Sequence, residues 1–198
     1  RLVFIGIMLI SHNVIGQTLT VSVSNNPPLA TLDNGQLNGV LAQAAESVLT
    51  DMGYILKPKL MPFKRAYSLL HKGELDVALS VLATPERLAL AHYSAPIITE
   101  YSVILVARNQ GFYLKRLTDL NGRELGTKLG FEYPELEAAG IKLIPAKDHQ
   151  TNIKKLLIGR LDGVILGSLT GAHLIQQLDL EADTEYLPLA VGKVPLGI

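Results

Sequence analysis

Arg87 is the side chain in this sequence best placed to grip an anion, and the residues before it give the reason. Ser80-Val81-Leu82-Ala83-Thr84-Pro85-Glu86-Arg87 reads as a strand running into a capped helix. Thr84 suits an N-cap, Pro85 the first helical position, and Glu86 the positive end of the helix dipole. Backbone N–H groups at a helix start, with an Arg one turn inside, make a small site for a carboxylate. The same residues also begin ordinary helices with Arg87 in water, and spacing alone leaves both readings open.

Little else in the chain points to chemistry. There is no Cys, so thiol nucleophiles, disulfides and Cys-ligated metals are excluded. His12, His71, His92, His149 and His173 are scattered without metal-ligand spacing. No nucleophile–base pair and no phosphate-binding glycine loop can be read, and no cofactor is expected. An enzyme would need Glu132 or Glu100 as a cleft acid or base. The 18 basic and 18 acidic residues balance to zero net charge, which argues against a nucleic-acid partner.

These residues need a scaffold, and 198 residues at 48% hydrophobic can bury one sizeable core or two small ones. Arg1 followed by the apolar run Leu2 to Ile10 and a small-residue exit predicts a secretory signal peptide over residues 1–17. A buried strand or an N-terminal anchor is the other reading of that run. Thr18 to Val23 alternates as a strand, and Asp33-Asn34-Gly35 is turn chemistry. Helices are predicted from Gly39 to Met52 and from Pro62 to Gly73, with strands over 54–60 and 77–81. In the second half, short strands are predicted near 124–126, 142–144 and 164–166. A helix from Pro134 to about Ala139 and one capped by Thr151 lie between them. The alternation predicts an α/β fold with parallel strands. Gly73-Glu74-Leu75-Asp76 is echoed by Gly159-Arg160-Leu161-Asp162, 162 − 76 = 86 residues later. That echo is either a common α/β connection or the mark of two similar lobes with a ligand cleft between them.

The ordered set of motifs resembles the bacterial extracellular solute-binding proteins of family 3, the polar amino-acid type that serves ABC transporters. The set comprises Asn26-Pro27-Pro28-Leu29, Asp33 to Gly39, Leu60-Met61-Pro62-Phe63-Lys64-Arg65 and Gly73 to Asp76. It continues with Thr84-Pro85-Glu86-Arg87, Tyr93-Ser94-Ala95-Pro96, Asp119 to Gly126 and Gly159 to Asp162. The resemblance implies a two-lobed periplasmic binding protein-like (type II) fold. Each lobe is a small mixed sheet flanked by helices, closing on a ligand by hinge motion. It places lobe 1 at 18–106, lobe 2 at 107–191 and the start of a return crossing at 192–198, with the C-terminal end truncated. The first crossing is expected at Ser102 to Arg108.

By that resemblance Arg87 binds a ligand carboxylate through its planar fork. Ser80 supplies a cleft hydroxyl, and Leu82 and Ala83 backbone groups. Three departures stand out. Gly167, followed by Ser168, occupies the position where an acid is usual for holding a ligand ammonium. The loop after Gly130 reads Phe131-Glu132-Tyr133 rather than small hydroxyl residues. Asn26 stands where an aromatic often precedes the Pro pair. Glu132 fits either a replacement acid or a solvent-facing loop residue. Phe63 fits the core before a ligand shelf, and Arg65 reaches either the cleft or water. Asp76 and Asp162 are expected to shape turns.

The function implied is a periplasmic, monomeric, non-enzymatic binding protein. It would hand a small carboxylate-bearing ligand, an amino acid or a relative of one, to a membrane permease. An extracytoplasmic sensory domain is the alternative, and a periplasmic dehydratase-like enzyme a third.

Overall fold

The computed structural model describes residues 16–108, 110 and 112–198, so most of the predicted signal peptide lies outside the described residues. The described residues build twelve strands and six α-helices. They are β1 (Thr18–Val23), β2 (Thr31–Asp33), β3 (Gln36–Asn38), α1 (Val40–Asp51), β4 (Ile55–Leu60) and α2 (Phe63–His71). Next come β5 (Val77–Ala78), β6 (Val81–Leu82), α3 (Pro85–Leu88), β7 (Ile98–Ala107), β8 (Leu125–Lys128) and α4 (Pro134–Ala138). The last are β9 (Leu143–Ala146), α5 (His149–Leu157), β10 (Gly163–Gly167), α6 (Ser168–Gln177), β11 (Thr184–Tyr186) and β12 (Gly192–Gly197).

The architecture is α/β and two-lobed. In the first half, β4, β1 and β5 form a parallel three-stranded sheet. Val21, Val23, Ala42, Ala45 and Leu79 close its core where α1 lies against it. The second sheet runs β6-β12-β7-β10-β8-β9, with β11 also on β7. There β8, β9 and β10 are mutually parallel, while β7 runs antiparallel to β10, β11 and β12. The expectation of parallel strands therefore holds for the βαβ units, and the antiparallel pairings of β7 and β12 make the second sheet mixed. Ile104 and Val106 of β7 face one buried cluster and Leu105 and Ala107 the other, the period-two alternation of a strand covered on both faces.

Local chemistry explains where the observed elements depart from the predicted ones. The single strand predicted over 77–81 breaks into β5 and β6 because Ser80 adopts a left-handed backbone, φ 60°. The predicted Thr151 cap is replaced by Asp148, whose carboxylate accepts the Thr151 N–H at 2.7 Å. Thr84 does cap α3, accepting from the Arg87 N–H at 3.3 Å, but α3 is one turn long. The chain then leaves to pair with β12, Ser94 N–H donating to Ile198 C=O and Ile97 N–H to Leu196 C=O.

The internal echo has a physical meaning. Asp76 accepts the Thr20 N–H of β1 at 2.7 Å, and Asp162 accepts the Glu124 N–H just before β8 at 2.8 Å. Each Asp thus pins the start of the parallel strand beside it, while Leu75 and Leu161 anchor below as buried side chains.

Candidate functional site

A cavity with about 550 Å³ of empty space, mouth included, opens where the ends of β5 and β6, the α3 turn, the loop after β8 and the strands β7 and β12 converge. Arg87 lies in its wall, 4% exposed. The rings of Phe63 and Tyr67, 6.4 Å apart and nearly parallel, each lie 5.2 Å from its guanidinium carbon, so the buried cation sits over two neighbouring rings. Its Nη2 donates to Glu132 Oε1 at 2.5 Å. The Glu132 side chain is 43% exposed, so one partner of this ion pair is fixed and the other is on a solvated loop. With α3 only four residues long, the positive potential of the site comes from the Arg87 guanidinium and not from a helix dipole. The Ser80 hydroxyl, turned by its unusual backbone, is buried without a hydrogen-bond partner among the described residues.

Position 167 is Gly, as noted from the sequence, but a carboxyl from another strand lies beside it. Glu100, in β7 and 5% exposed, lines the same cavity. Its Oε1 accepts the N–H groups of Leu169 and Thr170, both at 3.0 Å, in the first turn of α6. A Cβ added to Gly167 would stand 2.0 Å from the Glu100 carboxyl carbon. The carboxyl therefore occupies the space a side chain at 167 would use. Burial raises its pKa, while the two backbone N–H bonds oppose the shift. The Tyr133 phenol is also pushed up, by burial first and then by the charge on Glu100.

Beside this cavity lies a second, polar one bordered by Asn25, Asn26, Lys128, Asp148, His149 and Thr170. Lys128 of β8 donates to the carbonyls of Ser24 and Asn25 at 3.2 and 3.3 Å, tying the segment after β1 to the second sheet. Burial lowers its pKa to about 8. His149 is driven down to about 4, by burial first and then by the Lys128 charge.

Of the residues singled out from the sequence, Arg87, Ser80, Asn26, Phe63, Gly130, Glu132 and Tyr133 meet around the first cavity. Arg65 is exposed on α2 and Ala83 does not line the cavity, while Leu82 pairs through its backbone with Leu196. Ser168 turns its hydroxyl toward the Tyr101 N–H at 3.4 Å instead of the cavity. Glu132 is paired with Arg87. Sequence reasoning missed Ser102, Phe131, Val194 and Leu196 as lining residues and treated Glu100 only as an acid for catalysis. The one signal for Glu100 was a lone charge within strand β7.

Among the described residues no group of three or more His, Asp or Glu could hold a metal ion, and no helix is long and apolar enough to cross a membrane. The chain is similar to the L-cystine-binding protein TcyJ of Escherichia coli strain K12, 24% identical over 149 residues, covering 73% of this chain and 56% of TcyJ. It thus spans a little over half the length of that relative. An ancestral arginine-binding protein solved with glutamine matches with TM-score 0.76 at 26% identity, over 91% of this chain and 82% of that one. A histidine kinase sensor domain described as similar to periplasmic binding proteins matches with TM-score 0.82 at 20% identity, over 92% and 81% of the two chains. Residues 19–179 match the model of one family across the first sheet, the cavity and most of the second sheet. The chain belongs to the bacterial extracellular solute-binding proteins, family 3.

Proposed function

We propose that this chain is the capture component of an ABC uptake system. It binds a small polar ligand bearing a carboxylate, an amino acid or a close relative, and performs no catalysis. The observation that carries this reading is Arg87: a buried guanidinium, lying over two rings, with a carboxylate oxygen at 2.5 Å. A ligand carboxylate arriving there would exchange with that of Glu132, forming the bidentate pair that suits Arg. In this reading residues 18–106 form one lobe and 107–191 the other. Strands β7 and β12 are the two crossings, and closure brings Arg87 and Tyr133 onto the ligand together. Export by the N-terminal segment puts the protein in the periplasm as a monomer that docks on a membrane permease. The amino-acid ligands named for the similar proteins support the ligand class.

The test is a thermal-shift screen of the exported protein against amino acids, organic acids and polyamines, because a ligand that binds only the folded state raises Tm. Arg87→Ala should weaken the best carboxylate ligand about 100-fold, the consequence of removing one partner of a buried charge pair at about 3 kcal/mol. Arg87→Lys should rescue little of it, since an ammonium cannot supply the fork. Unchanged affinity in Arg87→Ala overturns the reading. The likeness to a kinase sensor domain leaves a sensory role as the second reading, which a membrane-spanning segment fused to this domain would favour.

A further inference from the structure

We propose that Glu100, on the crossing strand, is the residue that selects ligands carrying a protonated amine, in place of any side chain at position 167. The inference rests on the ligand-binding reading of the Arg87 cavity.

The geometry begins at α6. Gly167 is the N-cap of that helix and has no side chain to satisfy the N–H groups of its first turn. An N-cap Asp or Asn would accept from the second and third helical residues. Those residues are Leu169 and Thr170, and their N–H groups are taken at 3.0 Å by Glu100 Oε1, from β7. Glu100 therefore caps the helix from another strand. Its carboxyl lies where the Gly167 side chain would start, with the nearest atoms 2.0 to 2.2 Å from that Cβ. Position 100 and position 167 can supply an acid here only one at a time.

Capping alone does not require an acid at this place. A neutral acceptor would satisfy both N–H groups, and taking a carboxylate out of water is costly unless a cation comes with it. Two bonds use about half the acceptor capacity of an ionised carboxylate, which leaves room for a further donor. Glu100 and Arg87 line one cavity, a buried carboxyl and a buried guanidinium. A small zwitterion complements that pair, its carboxylate on Arg87 and its ammonium on Glu100. A plain organic acid complements only half of it.

The experiment is isothermal titration of the wild-type protein with the L-amino acids and L-cystine. The tightest binder is then compared with its analogue lacking the α-amino group. Glu100→Gln keeps an amide oxygen for the Leu169 and Thr170 N–H groups and removes the charge, so the fold should survive, checked by circular dichroism and Tm. It should weaken the amino acid about tenfold or more while changing the amine-free analogue less than about twofold. Gly167→Asp should restore amino-acid binding in a Glu100→Ala background, because the Asp side chain enters the vacated space and caps α6 in its turn. Equal loss for both ligands, no loss, or failure of the double variant while it remains folded overturns the assignment of Glu100. A wild-type protein that binds no member of the panel overturns the binding reading itself, whereas wild-type binding that Arg87→Ala abolishes and Glu100→Gln leaves intact overturns this inference alone.

Discussion

Arg87 and Glu132 show how much one ion pair can decide. The guanidinium is buried, while the carboxylate sits on a half-solvated loop, so in the proposed reading Glu132 competes with a ligand carboxylate for Arg87. A half-exposed pair of this kind contributes up to about 1 kcal/mol, so Glu132→Gln should tighten carboxylate binding by about two- to fivefold, read by titration calorimetry. Weaker binding in that variant would mean that Glu132 contacts the ligand directly. Arg87 was legible in the sequence because Thr-Pro-Glu-Arg is a local signal, with cap, proline and charge within four residues. Glu100 was not legible as a capping acid. Its partners, Leu169 and Thr170, stand 69 and 70 residues away, and no local pattern encodes a cap supplied by a different strand. Glu132 was legible as a charge and not as a partner, because the 45 residues separating it from Arg87 are bridged only by tertiary packing.

At the level of elements, strong local signals gave the right structures and weak ones moved. Strand β1, helix α1 and the Asp33-Asn34-Gly35 turn follow from alternation, an apolar stripe and turn residues. Strand β7 starts earlier than expected because its first residues pair with β12, a contact invisible to periodicity. Helix α5 carries a pH prediction. His149, its first residue, is buried beside the Lys128 ammonium and near Asp148, with both ring nitrogens unpartnered among the described residues. Its folded pKa of about 4 lies below the ordinary 6.5, so the unfolded chain binds a proton that the folded one does not. Stability from this group is complete above about pH 6.5 and falls as pH drops toward 4, by on the order of 3 kcal/mol. His149→Phe should flatten the Tm-against-pH slope in that window. An unaltered slope would place the acid sensitivity elsewhere.

Across the whole molecule, Lys128 of the second sheet bonds to the segment after β1, its ammonium reaching the Ser24 and Asn25 carbonyls beside the second cavity. If that bridge favours the closed form, Lys128→Met should lower ligand affinity about three- to tenfold, the range of two or so hydrogen bonds to a charged group partly replaced by water. It should also raise the radius of gyration of the ligand-saturated protein in X-ray scattering. An unchanged radius and affinity would show that the contact is incidental. The two-lobed plan was legible from the repeated Gly-x-Leu-Asp connection, since each Asp pins a strand in its own half. Only the fold revealed which walls face one another. The overlap between the Glu100 carboxyl and the absent side chain of Gly167 has a consequence for ancestry. A chain cannot pass between an acid at 167 and an acid at 100 in either order at equal cost. Adding the second acid first forces two carboxylates into one space, and removing the first leaves a helix uncapped and a charge missing. Any mutational route between the two arrangements therefore shows sign epistasis: each step is harmful alone and tolerated only with the other.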